Sequence, residues 1–226
     1  MPRDVICDSG VLISLTAGCL DNLLYFFCEK HNVRFVIPPS VVQESVTRPL
    51  ESNLRKYLFS AIRIKNAIND DVISVVDANV AEDAKRMMET ANTMFYVKNR
   101  PLRLIHLGES EMLALANELG VKNILIDERT TRMLIEAPFR LKEHLEAEFR
   151  VNVMINKKNF HDLQSQISQL KSLRSSELVM LAYEHGYFKS FDSLQKEALE
   201  AALYKMKYSG CSISFDEIRE YLSMAK

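Results

Sequence analysis

Short apolar segments alternate with helical segments along the first part of this chain, and this alternation limits the possible folds more than any other feature. The run VIC at residues 5–7 is predicted to form a buried strand, followed by a helix over residues 11–30 that can break at Gly18. A second strand over residues 33–37 ends at two prolines, and Ser40 begins a short helix. This order of elements is typical of a parallel sheet with helices packed on it.

The same alternation continues to about residue 156. Further strands are predicted over residues 72–76, 123–126 and 151–155, with helices over residues 50–71, 78–96, 108–119 and 140–149. After residue 156 we predict no strand, and helices over residues 160–173, 175–185, 193–208 and 215–224. We therefore predict one domain over residues 1–156, with a helical insertion at about residues 50–100, and a helical C-terminal subdomain over residues 157–226.

The composition excludes several classes of protein. Of the 226 residues, 47% are hydrophobic and 26% are charged, which is ordinary for a globular protein. No apolar run is long enough to cross a bilayer, and residues 1–4 lead into a strand rather than a signal sequence, so we expect a cytoplasmic protein. The net charge of −1 leaves only local patches to contact nucleic acid. The four scattered cysteines indicate reduced thiols rather than a zinc site.

The common nucleotide-binding and hydrolase motifs do not occur in the chain. It contains no GxGxxG, no P-loop and no GxSxG, and its five histidines lack the spacing of metal ligands. The first strand ends in Cys7-Asp8-Ser9, without the second aspartate of the aspartyl-phosphate phosphatases. Carboxylates are therefore the remaining candidates for functional groups.

Four acidic residues lie just after predicted strands or in the helices next to them. Asp8 follows the first strand, Glu44 lies in the helix after the second, Asp127 follows the strand at residue 123, and Glu109 begins the helix before that strand. Taken singly, each acid is better explained as a helix cap or a solvated side chain than as a functional group. The carboxyl ends of parallel strands meet at one edge, so together these acids would share a small volume. Carboxylates this close repel each other unless a cation is present, and oxygen ligands favour Mg²⁺ or Mn²⁺.

Helix geometry separates the two glutamates in the GESE sequence at residues 108–111. At 100° per residue, Glu109 projects within about 50° of the centre of the apolar face, whereas Glu111 lies about 110° away. Glu109 is therefore the better candidate ligand. The same reasoning does not support Glu44, which falls off the apolar face of its helix, and it leaves the choice between Asp127 and Glu128 open.

Three segments give the chain a family resemblance. They are VICDSGVLISL at residues 5–15, FVIPPSVVQESV at residues 35–46 and LGESEMLALANELGVKNILIDERTTR at residues 107–132. The chain resembles the PIN-domain nucleases, in particular the prokaryotic members with a GE-x-E third motif. The resemblance covers about residues 4–135, and residues 186–214 are similar to the helical tail of some members. It departs from compact members in the long stretch between Glu44 and Glu109.

The resemblance implies a three-layer α/β/α fold and the hydrolysis of phosphodiester bonds in single-stranded RNA with Mg²⁺ or Mn²⁺. Asp8, Glu109 and Asp127 would hold the metal, and Glu44 would bind a second ion or orient water. Supporting or alternative ligands are Ser9, Glu111 and Glu128. Candidate phosphate-binding residues are Arg129, Arg132, Lys98, Arg100 and Arg103. The family also leads us to expect a homodimer and, for a toxin of a toxin–antitoxin pair, an antitoxin partner.

Two other functions remain open on the sequence alone. A non-catalytic PIN-like module would bind RNA or a protein partner through residues 157–226. A metal-dependent phosphatase would act on small phosphoesters instead of RNA. A nuclease would bind metal, whereas the non-catalytic module would not. A phosphatase would differ from a nuclease by acting on small phosphoesters instead of RNA.

Overall fold

The computed structural model describes residues 2–52 and 54–225. The strands in chain order are β1 (Arg3–Cys7), β2 (Val33–Ile37), β3 (Ile73–Val75), β4 (Phe95–Val97), β5 (Arg100–Pro101), β6 (Asn123–Leu125), β7 (Met154–Ile155) and β8 (Lys171–Leu173). The helices of the first half are α1 (Ser9–Ala17), α2 (Asn22–His31), α3 (Pro39–Val42), α4 (Arg48–Glu51), α5 (Arg55–Asn69), α6 (Ala81–Asn92) and α7 (Leu107–Leu119). The later helices are α8 (Arg129–Glu136), α9 (Pro138–Phe149), α10 (Lys157–Ile167), α11 (Ser175–Glu184), α12 (Gln195–Ser209) and α13 (Phe215–Met224). A π-helical segment, Gln43–Thr47, joins α3 to α4, and a 3₁₀ segment, Tyr187–Leu194, precedes α12.

Within the described residues, a five-stranded parallel sheet forms the centre of the fold, in the order β3-β2-β1-β6-β8. Ile6 of β1 pairs with Val36 on one side and with Ile124 on the other. The strand order reverses between β1 and β6, and α/β proteins form their crevices at such a reversal. The predicted α/β fold with a parallel sheet, followed by a helical C-terminal region, is confirmed.

The described residues also form a small antiparallel sheet, in the order β5-β4-β7. The strand predicted over residues 151–155 is shortened to β7 and belongs to this second sheet. The basic segment over residues 97–103 is partly a hairpin, because Arg100 pairs with Val97 across a two-residue turn. Both turn residues, Lys98 and Asn99, have positive φ angles of 49° and 63°, as a tight hairpin turn requires.

The prediction that no strand follows residue 156 is wrong. Strand β8 pairs in parallel with β6, placing Leu173 beside Leu125 at one edge of the main sheet. Its sequence, KSL, has only three residues, too few for a hydrophobic period to be visible. Residues beyond 156 therefore complete the main sheet, and the division of the chain at that point stays a prediction.

Helices α5 and α12 both pack against α1, which follows the central strand. Leu12 and Leu15 of α1 are fully buried, as are Leu203 and Met206 of α12. The predicted break at Gly18 is present, since α1 ends at Ala17. The C-terminal helices are thus held against the same core as the sheet.

No single helix in the described part of the chain is long and apolar enough to span a membrane. Helices α1 and α2 satisfy that test only when taken together, and they meet at an angle of 109°.

Candidate active site

A cavity of about 770 Å³ opens where β1 and β6 end. Asp8, Glu44, Glu109 and Asp127, the four acids that the sequence placed at strand ends, all line it. Ser9 also lines it and is buried. The parallel strands therefore bring together carboxylates that are up to 119 positions apart in the chain, from residue 8 to residue 127.

Asp8 forms the N-cap of α1. Its carboxylate accepts a hydrogen bond from the Gly10 backbone N–H at 3.1 Å, and its own backbone N–H donates to the Leu125 carbonyl at 2.9 Å. A Cβ atom at Gly10 would lie only 2.8 Å from Asp8 Oδ2, so this glycine leaves room for the carboxylate. The Asp8 carboxylate thus caps α1 and also lines the cavity.

The electrostatic environment of Asp8 is unfavourable to its charged form. Burial, and after it the negative charges of Glu109, Glu44 and Asp127, outweigh the hydrogen bond from the Gly10 N–H and together raise the pKa of Asp8 to about 7. In the described residues no lysine or arginine forms an ion pair with any of these four acids. In the described part of the chain, the negative charge of the cluster is therefore not neutralised by a direct ion pair.

Glu44 reaches the cavity from the π-helical segment Gln43–Thr47. The wider turn changes the direction of a side chain relative to a regular helix, which is why helix rotation could not place Glu44. A Cβ atom at Gly108 would lie 3.4 Å from Glu44 Oε2, so the carboxylate lies beside the first turn of α7. Helix N-termini favour negative charge, and α7 offers one here.

Glu109 lines the cavity from the first turn of α7, and its Oε2 accepts a hydrogen bond from the His106 backbone N–H at 2.8 Å. Glu111, two residues later, lines a different cavity together with Pro38 and Asp77. The structure therefore places these two glutamates as the helix rotation predicts, in separate environments.

Asp127 is held by the first residue of α11. Its Oδ1 accepts a hydrogen bond from the Ser175 backbone N–H and its Oδ2 accepts one from the Ser175 hydroxyl, both at 2.8 Å. Both residues are buried. Sequence reasoning missed Ser175, because strand β8, which delivers it, was not predicted.

Glu128 has a different structural role from Asp127. It is exposed, and its two carboxylate oxygens accept hydrogen bonds from the backbone N–H groups of Thr130 and Thr131, capping α8. It lines the cavity as well, but Asp127 is the one whose charge acts on Asp8. Of the two, Asp127 is therefore the buried acid whose charge adds to the cluster around Asp8.

The basic and aromatic residues of the cavity are not the predicted ones. Among the described residues that line it are Arg48, Lys56, Tyr57, Lys205 and Tyr208. The predicted phosphate-binding residues lie elsewhere among the described residues, in the β4–β5 hairpin, at Arg103 and on α8. No sequence pattern distinguishes Lys205 or Tyr208, which occupy ordinary positions of a predicted helix.

The donor set suits a hard divalent cation, because it consists of carboxylate oxygens that no lysine or arginine among the described residues pairs with. In the described part of the chain, no three acidic, histidine or cysteine side chains are close enough together to bind one metal ion. Hydrogen bonds direct Asp127 toward Ser175 and Glu109 toward the His106 N–H. Each carboxylate oxygen has a second lone pair, so these bonds do not exhaust its capacity to bind a cation.

The family relationship follows from comparison with known sequences. A family model described as PIN domain matches residues 4–138, more than half of the chain. The chain belongs to the PIN-domain family. No curated protein and no solved structure matches it.

PIN domains are generally nucleases, and they typically use divalent metals. The PIN match includes Asp8, Glu44, Glu109 and Asp127, whereas Ser175 and the cavity residues of α12 lie beyond it. The chain thus combines the acidic edge of a PIN domain with a C-terminal segment that completes the cavity.

Proposed function

We propose that this PIN-domain protein is a metal-dependent endoribonuclease that hydrolyses phosphodiester bonds of single-stranded RNA with Mg²⁺ or Mn²⁺. The observation that supports this most is the placement of four acids in one cavity at the reversal of the strand order, with no ion-pair partner among the described residues. A bound divalent cation would supply a water of lowered pKa and would stabilise charge on the phosphate.

In this proposal Asp8, Glu109 and Asp127 would hold the metal, and Glu44 would bind a second ion or orient a water molecule. Three contacts fix the ligands: the Gly10 N–H to Asp8, the His106 N–H to Glu109, and Ser175 to Asp127. Such contacts to ligands restrict their orientation and strengthen metal binding.

The proposal is tested by cleavage of end-labelled single-stranded RNA with Mn²⁺. We expect Asp8→Asn and Glu109→Gln to lower the rate by about 100-fold or more, since each removes a charge from the metal site. Glu111→Gln is the matched control, because Glu111 lies in the same helix but lines another cavity. Equal rates for the wild type and both variants would overturn the proposal, as would hydrolysis of an aryl phosphate without cleavage of RNA.

A non-catalytic module is the second candidate, and the spacing of the carboxylates favours it, because in the described part of the chain no three acidic, histidine or cysteine side chains are close enough to share one ion. Calorimetry separates the two functions. A nuclease of this kind binds Mn²⁺ in the wild type and more weakly in Asp8→Asn. A binding module shows no uptake of Mn²⁺ in either protein.

A toxin of a toxin–antitoxin pair is one biological use of the proposed activity. It predicts that expression of the wild type arrests growth of a bacterial host and that Asp8→Asn relieves the arrest. Normal growth with the active enzyme would exclude this use without affecting the proposed chemistry.

A further inference from the structure

The cavity extends beyond the acids along one face of α1. Its lining includes Gly10, Ile13, Ser14 and Ala17, whose spacing of three and four residues is that of a single helical stripe. At 1.5 Å per residue, this stripe extends about 13 Å from Asp8. The space is therefore long enough to hold more of a polymer than the reacting phosphate.

Two helices that pack on α1 each contribute one lysine and one tyrosine to this space. Helix α5 supplies Lys56 and Tyr57, with the Lys56 ammonium 5.1 Å from the centre of the Tyr57 ring. Helix α12 supplies Lys205 and Tyr208, three residues apart and hence on the same side of the helix. Tyr208 is 74% exposed although it is a large aromatic residue.

The Tyr208 ring is also held in place. It stacks on Tyr204 with 6.4 Å between ring centres, and its edge contacts Phe215, which follows the cap of α13. A ring supported on one side and open on the other loses little freedom when a flat group stacks on it. We call Lys56, Tyr57, Lys205 and Tyr208 the lysine–tyrosine wall.

The cavity has carboxylates at one end and the lysine–tyrosine wall along its length. These features fit a ligand with an anionic backbone and flat, exposed bases. Single-stranded nucleic acid has both features, and proteins bind it through lysines on phosphates and aromatic rings on bases. A duplex keeps its bases stacked inside and cannot use the rings. A small phosphoester reaches only the acidic end and gains nothing from the wall.

We propose that the lysine–tyrosine wall binds the single strand next to the cleaved phosphate, with bases stacked on Tyr57 and Tyr208, and thereby selects single-stranded over duplex substrates. The proposal rests on the proposed nuclease function for the identity of the reaction. Half of the wall comes from α12, outside residues 4–138 that the PIN-domain family model covers.

The test measures binding separately from cleavage. Fluorescence anisotropy of a labelled 12-nucleotide RNA is recorded in the Asp8→Asn background, as a single strand and as a duplex. We expect Tyr208→Ala and Tyr57→Ala each to weaken single-strand binding about tenfold, because each removes one stacked base. Tyr208→Phe keeps the ring and should bind like its parent.

The lysines are tested by salt dependence. Lys56→Gln and Lys205→Gln should each reduce the slope of log affinity against log salt by about 0.7, the value for one phosphate contact of a single strand. The matched controls are exposed residues of the same helices that do not line the cavity: Phe59→Ala and Lys65→Gln on α5, and Lys196→Gln on α12. These variants should bind like the parent.

The inference is overturned if no RNA binds, if the tyrosine variants bind like the controls, or if the duplex binds as tightly as the single strand. A protein occupant of the cavity would give the first of these results. If the wall variants lose binding but the wild type never cleaves RNA, the inference stands and the nuclease function falls. If RNA is cleaved and the wall variants are unaffected, the nuclease function stands and the inference falls.

Discussion

Asp127 depends on a residue 48 positions later in the chain. Ser175 occupies both oxygens of its carboxylate, one through the backbone and one through the hydroxyl. A buried carboxylate without such partners would be strongly destabilised. Ser175 is therefore the residue that fixes the orientation of the Asp127 carboxylate.

Replacement of Ser175 by alanine removes the hydroxyl bond and leaves the backbone bond. We expect Mn²⁺ affinity, measured by calorimetry, to fall by about 10- to 100-fold, because Asp127 loses a fixed orientation. Ser176→Ala is the control, since Ser176 is an adjacent buried serine whose hydroxyl contacts the Cys211 thiol instead. An identical loss in both variants would show that the effect is one of packing.

Gly10→Ala tests how closely the helix approaches the Asp8 carboxylate. Alanine in place of glycine ordinarily stabilises a helix by about 1 kcal/mol, but here its Cβ would lie 2.8 Å from Asp8 Oδ2. We expect Mn²⁺ binding to weaken while the free energy of unfolding stays equal or rises. In the Asp8→Asn background the same change should have no further effect on metal binding; a further loss would point to a cause other than Asp8.

At the level of single elements, regular helices were predictable and irregular ones were not. The rotation of α7 separates Glu109 from Glu111 on sequence alone, and the structure places them in different cavities. The π-helical segment defeats the same reasoning for Glu44, because its hydrogen-bond pattern is set by the packing around it. Strand β8 was not predicted, because three residues are too few to show an alternation of apolar and polar side chains.

Helix α13 is attached to α11 by a buried arginine. Arg174 is 4% exposed, and its guanidinium donates to Glu217 at 2.8 Å, to the Ser212 carbonyl at 3.1 Å and to the Tyr221 hydroxyl at 3.0 Å. Arg174 directly precedes Ser175, so the attachment also fixes the start of α11.

Acid should weaken this attachment. Burial alone would raise the pKa of Glu217, but hydrogen bonds from the Ser214 N–H and from Arg174 outweigh it and lower the pKa to about 2. A carboxyl whose pKa is lower in the folded state stabilises the fold above its ordinary pKa, and this stabilisation is lost as pH falls from about 4.5 to about 2. Glu217 is partly exposed, so the contribution is on the order of 1 kcal/mol or less.

Urea unfolding of the wild type and Glu217→Gln across this pH range provides the measurement. The wild type should be more stable at neutral pH, and the difference should shrink as the solution is acidified. Glu220→Gln, an exposed position of the same helix, should show no such dependence. A difference that stays constant with pH would contradict the assignment to Glu217.

At the scale of the whole molecule, the segment after the PIN match is part of the site. It supplies β8 to the main sheet, Ser175 to Asp127, and Lys205 and Tyr208 to the cavity. Asp8 and Asp127 could be predicted from the sequence, because in parallel α/β sheets ligands bind at the carboxyl ends of the strands. The lysines and tyrosines could not be located, since their convergence depends on how α5 and α12 pack on α1.

Removal of residues 157–226 should therefore do more than delete an appendage. It takes away an edge strand and uncovers the buried face of α1, and we expect the remainder to lose cooperative thermal unfolding. Circular dichroism with temperature gives the measurement. A sharp transition in residues 1–156 would instead support their folding as an independent domain.

The pairing of Asp127 with Ser175 also has a consequence for synthesis on the ribosome. Parallel pairings between distant segments form late, because the intervening chain must first be available. The first two strands and Asp8 emerge early, but the partner of Asp127 and the α12 wall emerge only in the last quarter of the polypeptide. A nascent chain therefore carries the acids before it carries Ser175, and if the proposed nuclease function holds, it should not cleave the messenger and ribosomal RNA around it until translation is nearly complete.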